Sequence, residues 1–234
     1  IFLIYFKNSN FSNFKLIRLF DFNSFKKLFS ISKDLFLRTM LLVAVQAYLI
    51  KKAGLIGVDE LAAIEILLVI FGLSSYSLDA FAHTAEATVG VSIGSKNKSN
   101  IFKSIKTTTE FALLFSIIIG IIYYFFSNNI IGLFTDIPIL TSLTTELWSL
   151  VIITPFISML AFQLDGIFIG ATLAKEMRNC IIFSSFTFYL IIELFISDNL
   201  NLKDLYSCFL LFLILRGVFL TFYLKRVFNL VLIK

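Results

Sequence analysis

The chain has 234 residues, 59% of them hydrophobic and 16% aromatic, with 29 phenylalanines and a mean hydropathy of +0.94. Soluble domains hold about 45–50% apolar residues, so this composition places the chain in a bilayer and excludes a large soluble domain, a disordered chain and a nucleic-acid binder. Only 15% of the residues are charged, and the net charge of +5 is therefore read by side of the membrane, not as attraction to nucleic acid.

The chain opens at Ile1, without a methionine, on the apolar stretch IFLIYF. That is too short to cross ~30 Å of hydrocarbon and reads as the end of a preceding helix. Residues 1–34 are expected to hold that end plus a basic cytoplasmic linker, and residues 35–234 a six-helix transmembrane lobe. Within the linker, Phe14, Ile17, Phe22, Phe25 and Phe29 recur at roughly helical intervals beside Lys26 and Lys27. They fit a short surface helix, its lysines meeting anionic head groups at about 1 kcal/mol each. They equally fit a plain tether, and the two readings are compatible.

With ~20 apolar residues per crossing, the hydropathy pattern predicts helices at about 35–53, 61–93, 107–127, 140–170, 178–197 and 205–224. No strand alternation competes. Basic residues flanking spans are retained in the cytoplasm. Sixteen of the 20 lie in the segment that runs through Arg38 at the start of the first helix, in the loops around Lys96–Lys106 and Lys175–Arg178, and in the tail from Lys225. Both ends are thus expected to be cytoplasmic. The opposite loops hold only Lys51, Lys52 and Lys203, among several acids, and Arg216 is left inside the last helix.

Ionisable groups at membrane depth cost ~2.5–3.5 kcal/mol each on insertion scales, so each calls for a reason. The second helix carries Asp79, His83 and Glu86 at i, i+4, i+7, on one face, with Gly90 and Gly94 continuing the stripe. Asp79 and Glu86 lie ~10 Å apart along the axis, within reach of His83. Such a carboxylate–imidazole relay can hold and pass a proton; it can also be purely architectural, beside Ser74, Ser75, Thr84 and Thr88 as helix-packing residues. With one histidine and no cysteine nearby, no metal site is assigned, and no nucleophile–base pair points to an enzyme. Cys180 and Cys208 start helices at opposite ends, which argues against a disulfide.

The fourth helix holds Pro155, which removes a backbone hydrogen bond and bends it, and then a polar step of Gln163, Asp165 and Gly166. Asp165 has no basic residue within a turn. It must be protonated, ion-bound, hydrated in a cavity or paired with another helix. Arg38 and Gln46 share a face of the first helix, where Arg38 is expected to snorkel to the cytoplasmic surface, with Glu86 as an alternative partner. Glu65 and Glu193 read as interfacial.

Two of these stretches carry a family resemblance. SYSLDAFAHTAEATVG (75–90), followed by Ile93 and Gly94, resembles the eighth transmembrane helix of the DinF-like branch of the multidrug and toxic compound extrusion (MATE) transporters. FQLDGIFIGAT (162–172), followed by Glu176, Met177, Arg178 and Asn179, is similar to that branch's tenth helix and the loop after it. The resemblance covers essentially the whole chain as the last six of twelve helices.

What the resemblance implies is a fold of two six-helix lobes related by pseudo-two-fold symmetry, with a substrate path between them and alternating access driven by H⁺ or Na⁺. This chain would be the C-terminal lobe, partnered by an N-terminal lobe. Asp165 matches the tenth-helix acid implicated in cation binding in sodium-coupled relatives, and Asp79, His83 and Glu86 match the polar face of the eighth helix. Gln46 is the nearest polar group to the place where sodium-coupled relatives carry a seventh-helix glutamate, a departure that weakens a Na⁺ assignment.

The expected activity is secondary antiport that exports amphipathic, cationic organic compounds across a bacterial plasma (inner) membrane in exchange for H⁺ or Na⁺, without a cofactor. Asp165, Asp79, Glu86 and His83 would serve the coupling ion, and Gln163, Gly166, Pro155, Gln46 and Arg38 the substrate path or gate. Two alternatives stand beside it. One is an incomplete or split-gene lobe, inactive alone. The other is a lipid or polysaccharide flippase of the same superfamily, which calls for more interior basic residues than Arg38 and Arg216.

Overall fold

A computed structural model describes residues 22–196 and 201–230. Every regular element among the described residues is a helix, with no strand among them. In chain order the helices are α1 (Phe22–Ile56), α2 (Val58–Gly94), α3 (Lys98–Phe125), the short α4 (Ser127–Gly132) and α5 (Pro138–Glu146), α6 (Trp148–Gly170), α7 (Ala174–Ile191) and α8 (Leu202–Asn229). A π-helical turn, Ile192–Ile196, extends α7.

Among the described residues five helices are long and apolar enough to cross a membrane: α2, α3, α6, α7 with the start of its π turn, and α8. The protein is an integral membrane protein. The expected span at 35–53 lies inside α1 but outside that set; its apolar stretch is bounded by Arg38 on one side and Lys51 and Lys52 on the other. α1 also begins earlier than expected. Residues 22–34 continue the helix of the first span without a break, in place of a separate surface helix or a tether, and Phe14 and Ile17 lie outside the described residues.

Two further boundaries differ from the hydropathy reading. α3 starts at Lys98 because the side chain of Asn97 accepts a hydrogen bond from the Asn100 amide (3.1 Å), capping a turn that charge alone suggested was loop. The expected helix over 140–170 is two helices, α5 and α6, parted at Leu147. The break seats Leu147 and Trp148 in the interior, where the indole N–H of Trp148 donates to the Tyr123 carbonyl (2.8 Å).

The turns α2–α3 and α6–α7 are built alike. Each helix ends on a glycine, Gly94 or Gly170, and the chain then passes through a residue in the left-handed region, Lys96 (φ 55°) or Thr172 (φ 57°). In both, the next amide reaches back into the last turn: Asn97 to Ser92 (3.2 Å) and Leu173 to Phe168 (2.9 Å). These are Schellman closures that satisfy carbonyls otherwise orphaned at a helix end.

The apolar interior falls into two main clusters. One gathers Val45, Leu49, Ile64, Leu67, Trp148, Phe209 and Phe212; the other gathers Ala85, Val89, Ile101, Ile167, Phe168 and Leu220. On α8, Arg216 falls between them. Many large apolar side chains point outward, among them Phe111, Phe156, Phe186 and Phe222, as a chain solvated by lipid allows.

Candidate functional site

α2 and α6 cross in very close contact, and the sequence explains why. A Cβ on Gly166 would collide with the Ala82 backbone, and one on Gly170 with the backbone of Glu86; at Gly90 it would sit 3.4 Å from the Gly170 carbonyl oxygen. Small residues four apart on α6 thus let two backbones meet, the usual solution in a bilayer, where apolar side chains gain little by leaving lipid. The contact brings the two polar stretches of the sequence together. Asp165 lies beside Gly166, and His83 beside Ala82.

Asp165 is buried, and its Oδ2 accepts hydrogen bonds from Nη2 of Arg38 on α1 and Nη2 of Arg216 on α8. Of the alternatives open to Asp165, the structure shows the pairing with other helices. Arg38 likewise neither snorkels to the surface nor meets Glu86. A buried carboxylate without a local counter-ion recruits distant ones because an isolated charge there costs several kcal/mol, about what an uncompensated ion retains after relaxation. Three polar atoms are left over: Oδ1 of Asp165, Nε of Arg38 and Oε1 of Gln163 are buried without a partner among the described residues.

The other expected site residues take distinct places. Gln163 is turned away from Asp165, its Nε2 donating to Thr108 Oγ1 on α3 (2.7 Å). Pro155 is buried in the first half of α6, beside Thr154, whose hydroxyl bonds the Leu150 carbonyl (2.7 Å) and approaches the Tyr206 hydroxyl (3.1 Å). On α2, Nδ1 of His83 is 3.5 Å from Oε2 of Glu86, with side-chain exposures of 77% and 39%. Asp79 is half-buried on the same stripe. The stripe therefore lies at an open surface of the described chain, next to the buried centre but not inside it. Among the described residues, no three His, Cys, Asp or Glu side chains gather as a metal site.

Gln46 lines a cavity of about 510 Å³ together with Glu65, Ser75, Phe162, Phe212 and Arg216. Arg216 thus belongs to both the charged centre and the cavity, and Cζ of its guanidinium lies 5.4 Å from the Phe162 ring centroid. The sequence reading did not place Arg216 at the site. The signal was present: an arginine within an apolar helix needs a buried acid, and Asp165 was an acid that needed a cation.

Further ion pairs sit at the two ends of the bundle. At one end Arg178 meets Asp34 (2.7 Å) and Arg226 meets Glu176 (2.6 Å). At the other, Lys52 meets Glu193 (2.9 Å), which also accepts from the Tyr48 hydroxyl. None of these pairings follows from sequence spacing.

The MatE family model matches residues 35–193 of the chain. DNA damage-inducible protein F of Escherichia coli K12 is 27% identical over 203 residues, covering 87% of this chain and 44% of that protein. The chain therefore spans less than half the length of this curated relative. No solved structure matches it.

Proposed function

The chain belongs to the MatE family, and from that premise we propose that it forms one lobe of a secondary active antiporter that exports amphipathic organic compounds in exchange for H⁺ or Na⁺. The observation that carries the reading is the shared carboxylate: Asp165 ties α1 and α8 to α6 through two guanidiniums inside a membrane bundle. A coupling ion that takes Asp165, or a proton that neutralises it, dissolves both ties at once. Ion binding is thereby linked to the packing of three helices, and the difference in ion affinity between the tied and untied arrangements is what shifts their populations.

The open stripe of Asp79, His83 and Glu86 is the route by which that ion reaches the centre, and its acids suit cationic cargo in the path between lobes. Gln46 and Arg38 border that path, while Gly166 sets the crossing on which the stripe and the centre depend. The work is transport, not covalent chemistry. The basic ends, joined by Arg178–Asp34 and Arg226–Glu176, lie together at one end of the bundle, which supports a cytoplasmic placement of both termini in a bacterial inner membrane.

The test is gradient-driven dye efflux in a full-length protein carrying Asp165→Asn. Loss of efflux with normal membrane insertion supports the reading, and wild-type efflux removes Asp165 from the coupling step.

A further inference from the structure

The cavity that ends on Arg216 has the chemistry of a binding site in its own right. Its volume of about 510 Å³ is in the range of roughly 300–1,000 Å³ that holds a small organic molecule. Its walls are aromatic and aliphatic, with Phe71, Phe162, Phe209, Phe212 and Leu213 among them. At the inner end stands a guanidinium that is itself only 3% exposed.

That guanidinium is underused. It has five N–H donors, and among the described residues it makes one hydrogen bond, from Nη2 to Asp165. Arg38 donates to the same oxygen and leaves its own Nε without an acceptor. Two guanidiniums thus share one carboxylate, and the centre holds one more positive charge than Asp165 cancels. Two other acids bear on the balance. Asp79 is half-buried and within electrostatic reach of both arginines, but no hydrogen bond joins it to either among the described residues. Glu65 lies ten residues before Ser75 on α2, ~15 Å away by helical rise, and is exposed at the far end of the cavity. Water around the exposed Glu65 carboxylate weakens its field, and Asp79 offsets part of the charge without taking up the remaining N–H donors of Arg216 among the described residues.

We propose that this cavity binds an amphipathic organic anion, its carboxylate or sulfonate on Arg216 and its apolar body between the phenylalanine walls. Planar oxyanions match the guanidinium fork with two parallel hydrogen bonds, and the edge of an aromatic ligand finds Phe162, Phe209 and Phe212 already in place. The site goes beyond the transport reading. It adds a ligand class opposite in charge to the one the acidic stripe suits, and it concerns equilibrium binding, so it stands or falls without reference to efflux.

The test is equilibrium binding of 1-pyrenebutyrate and of uncharged 1-pyrenebutanol to the chain in nanodiscs of zwitterionic lipid, with empty discs subtracted. The butyrate is expected to bind at least tenfold more tightly than the alcohol. Arg216→Gln should erase that preference, and Arg216→Lys should keep most of it. Because Arg216→Gln also disturbs Asp165, Ser75→Asp provides a second route: it leaves the Arg216–Asp165 pair intact and adds a carboxylate to the cavity wall. It should weaken the butyrate at least tenfold and leave the alcohol unchanged. Equal affinity for the two probes in the wild-type chain, or a preference that survives Ser75→Asp, overturns the proposal.

Discussion

Gly166 of α6 lies so close against the backbone of Ala82 of α2 that no side chain fits between them. An added methyl would have to push the two helices apart, and with them the contact between the acidic stripe and the Asp165 centre. Gly72, on the same helix as Ala82, has nothing within 4 Å of an added Cβ.

The two glycines therefore respond in opposite directions to the same change. Gly166→Ala should destabilise the chain by about 1–3 kcal/mol, the usual cost of overpacking a filled interior. Gly72→Ala should be neutral or stabilising by up to about 1 kcal/mol, since alanine is the better helix former. Unfolding of both variants in lipid nanodiscs checks the pair, and a Gly166→Ala chain as stable as wild type removes the close crossing.

The shared carboxylate makes a second ordering. Removing Asp165 leaves two buried guanidiniums facing each other, whereas removing Arg38 leaves the Arg216–Asp165 pair intact. Breaking a buried pair costs roughly 3–5 kcal/mol when a charge is stranded. Asp165→Asn should accordingly destabilise more than Arg38→Gln. The double variant Asp165→Asn with Arg216→Gln should recover part of the loss, a non-additivity that a double-mutant cycle reads directly.

These relationships divide sharply by how far the sequence reveals them. The spans are legible because lipid imposes long apolar runs, and Asp79, His83 and Glu86 are legible because helical spacing puts them on one face. Asp165 is legible as a problem, an acid with no nearby cation. Its solution is not, because Arg38 and Arg216 come from helices brought together only by tertiary packing. The parting of α5 from α6 at Leu147 is also hidden, since no glycine or proline marks it and its cause is the burial of Trp148. The left-handed residues Lys96 and Thr172 are of types that rarely adopt that conformation.

Trp148 is the one tryptophan in the chain and reports on that parting. It is 5% exposed, and its indole N–H is held by the Tyr123 carbonyl. Its emission should be that of a buried indole and resist quenching by aqueous iodide. Trp148→Phe should cost about 2 kcal/mol, combining the lost hydrogen bond, about 1 kcal/mol, with the loss of packed ring area. An emission spectrum typical of an indole in water places Trp148 outside the interior and overturns the two-helix arrangement of α5 and α6.

α1 is fastened to α7 and to the π turn that extends it at two points, Asp34–Arg178 and Lys52–Glu193, 18 residues apart on α1, about 27 Å at 1.5 Å per residue. The two fastenings are unequal. Asp34 and Arg178 have side-chain exposures of 10% and 25%, whereas the Glu193 carboxylate of the other pair is 53% exposed. Solvent screens the pair whose carboxylate is exposed, and the more enclosed pair retains more of its Coulombic gain. Double-mutant cycles in nanodiscs should thus give a larger coupling for Asp34 with Arg178 than for Lys52 with Glu193, with the second falling faster as salt is raised. The reversal Asp34→Arg with Arg178→Asp should restore stability lost in either single variant, because the geometry accepts the charges in either order. If the reversal recovers nothing, the Asp34 and Arg178 side chains do not meet, and this end of α1 is held by apolar packing alone.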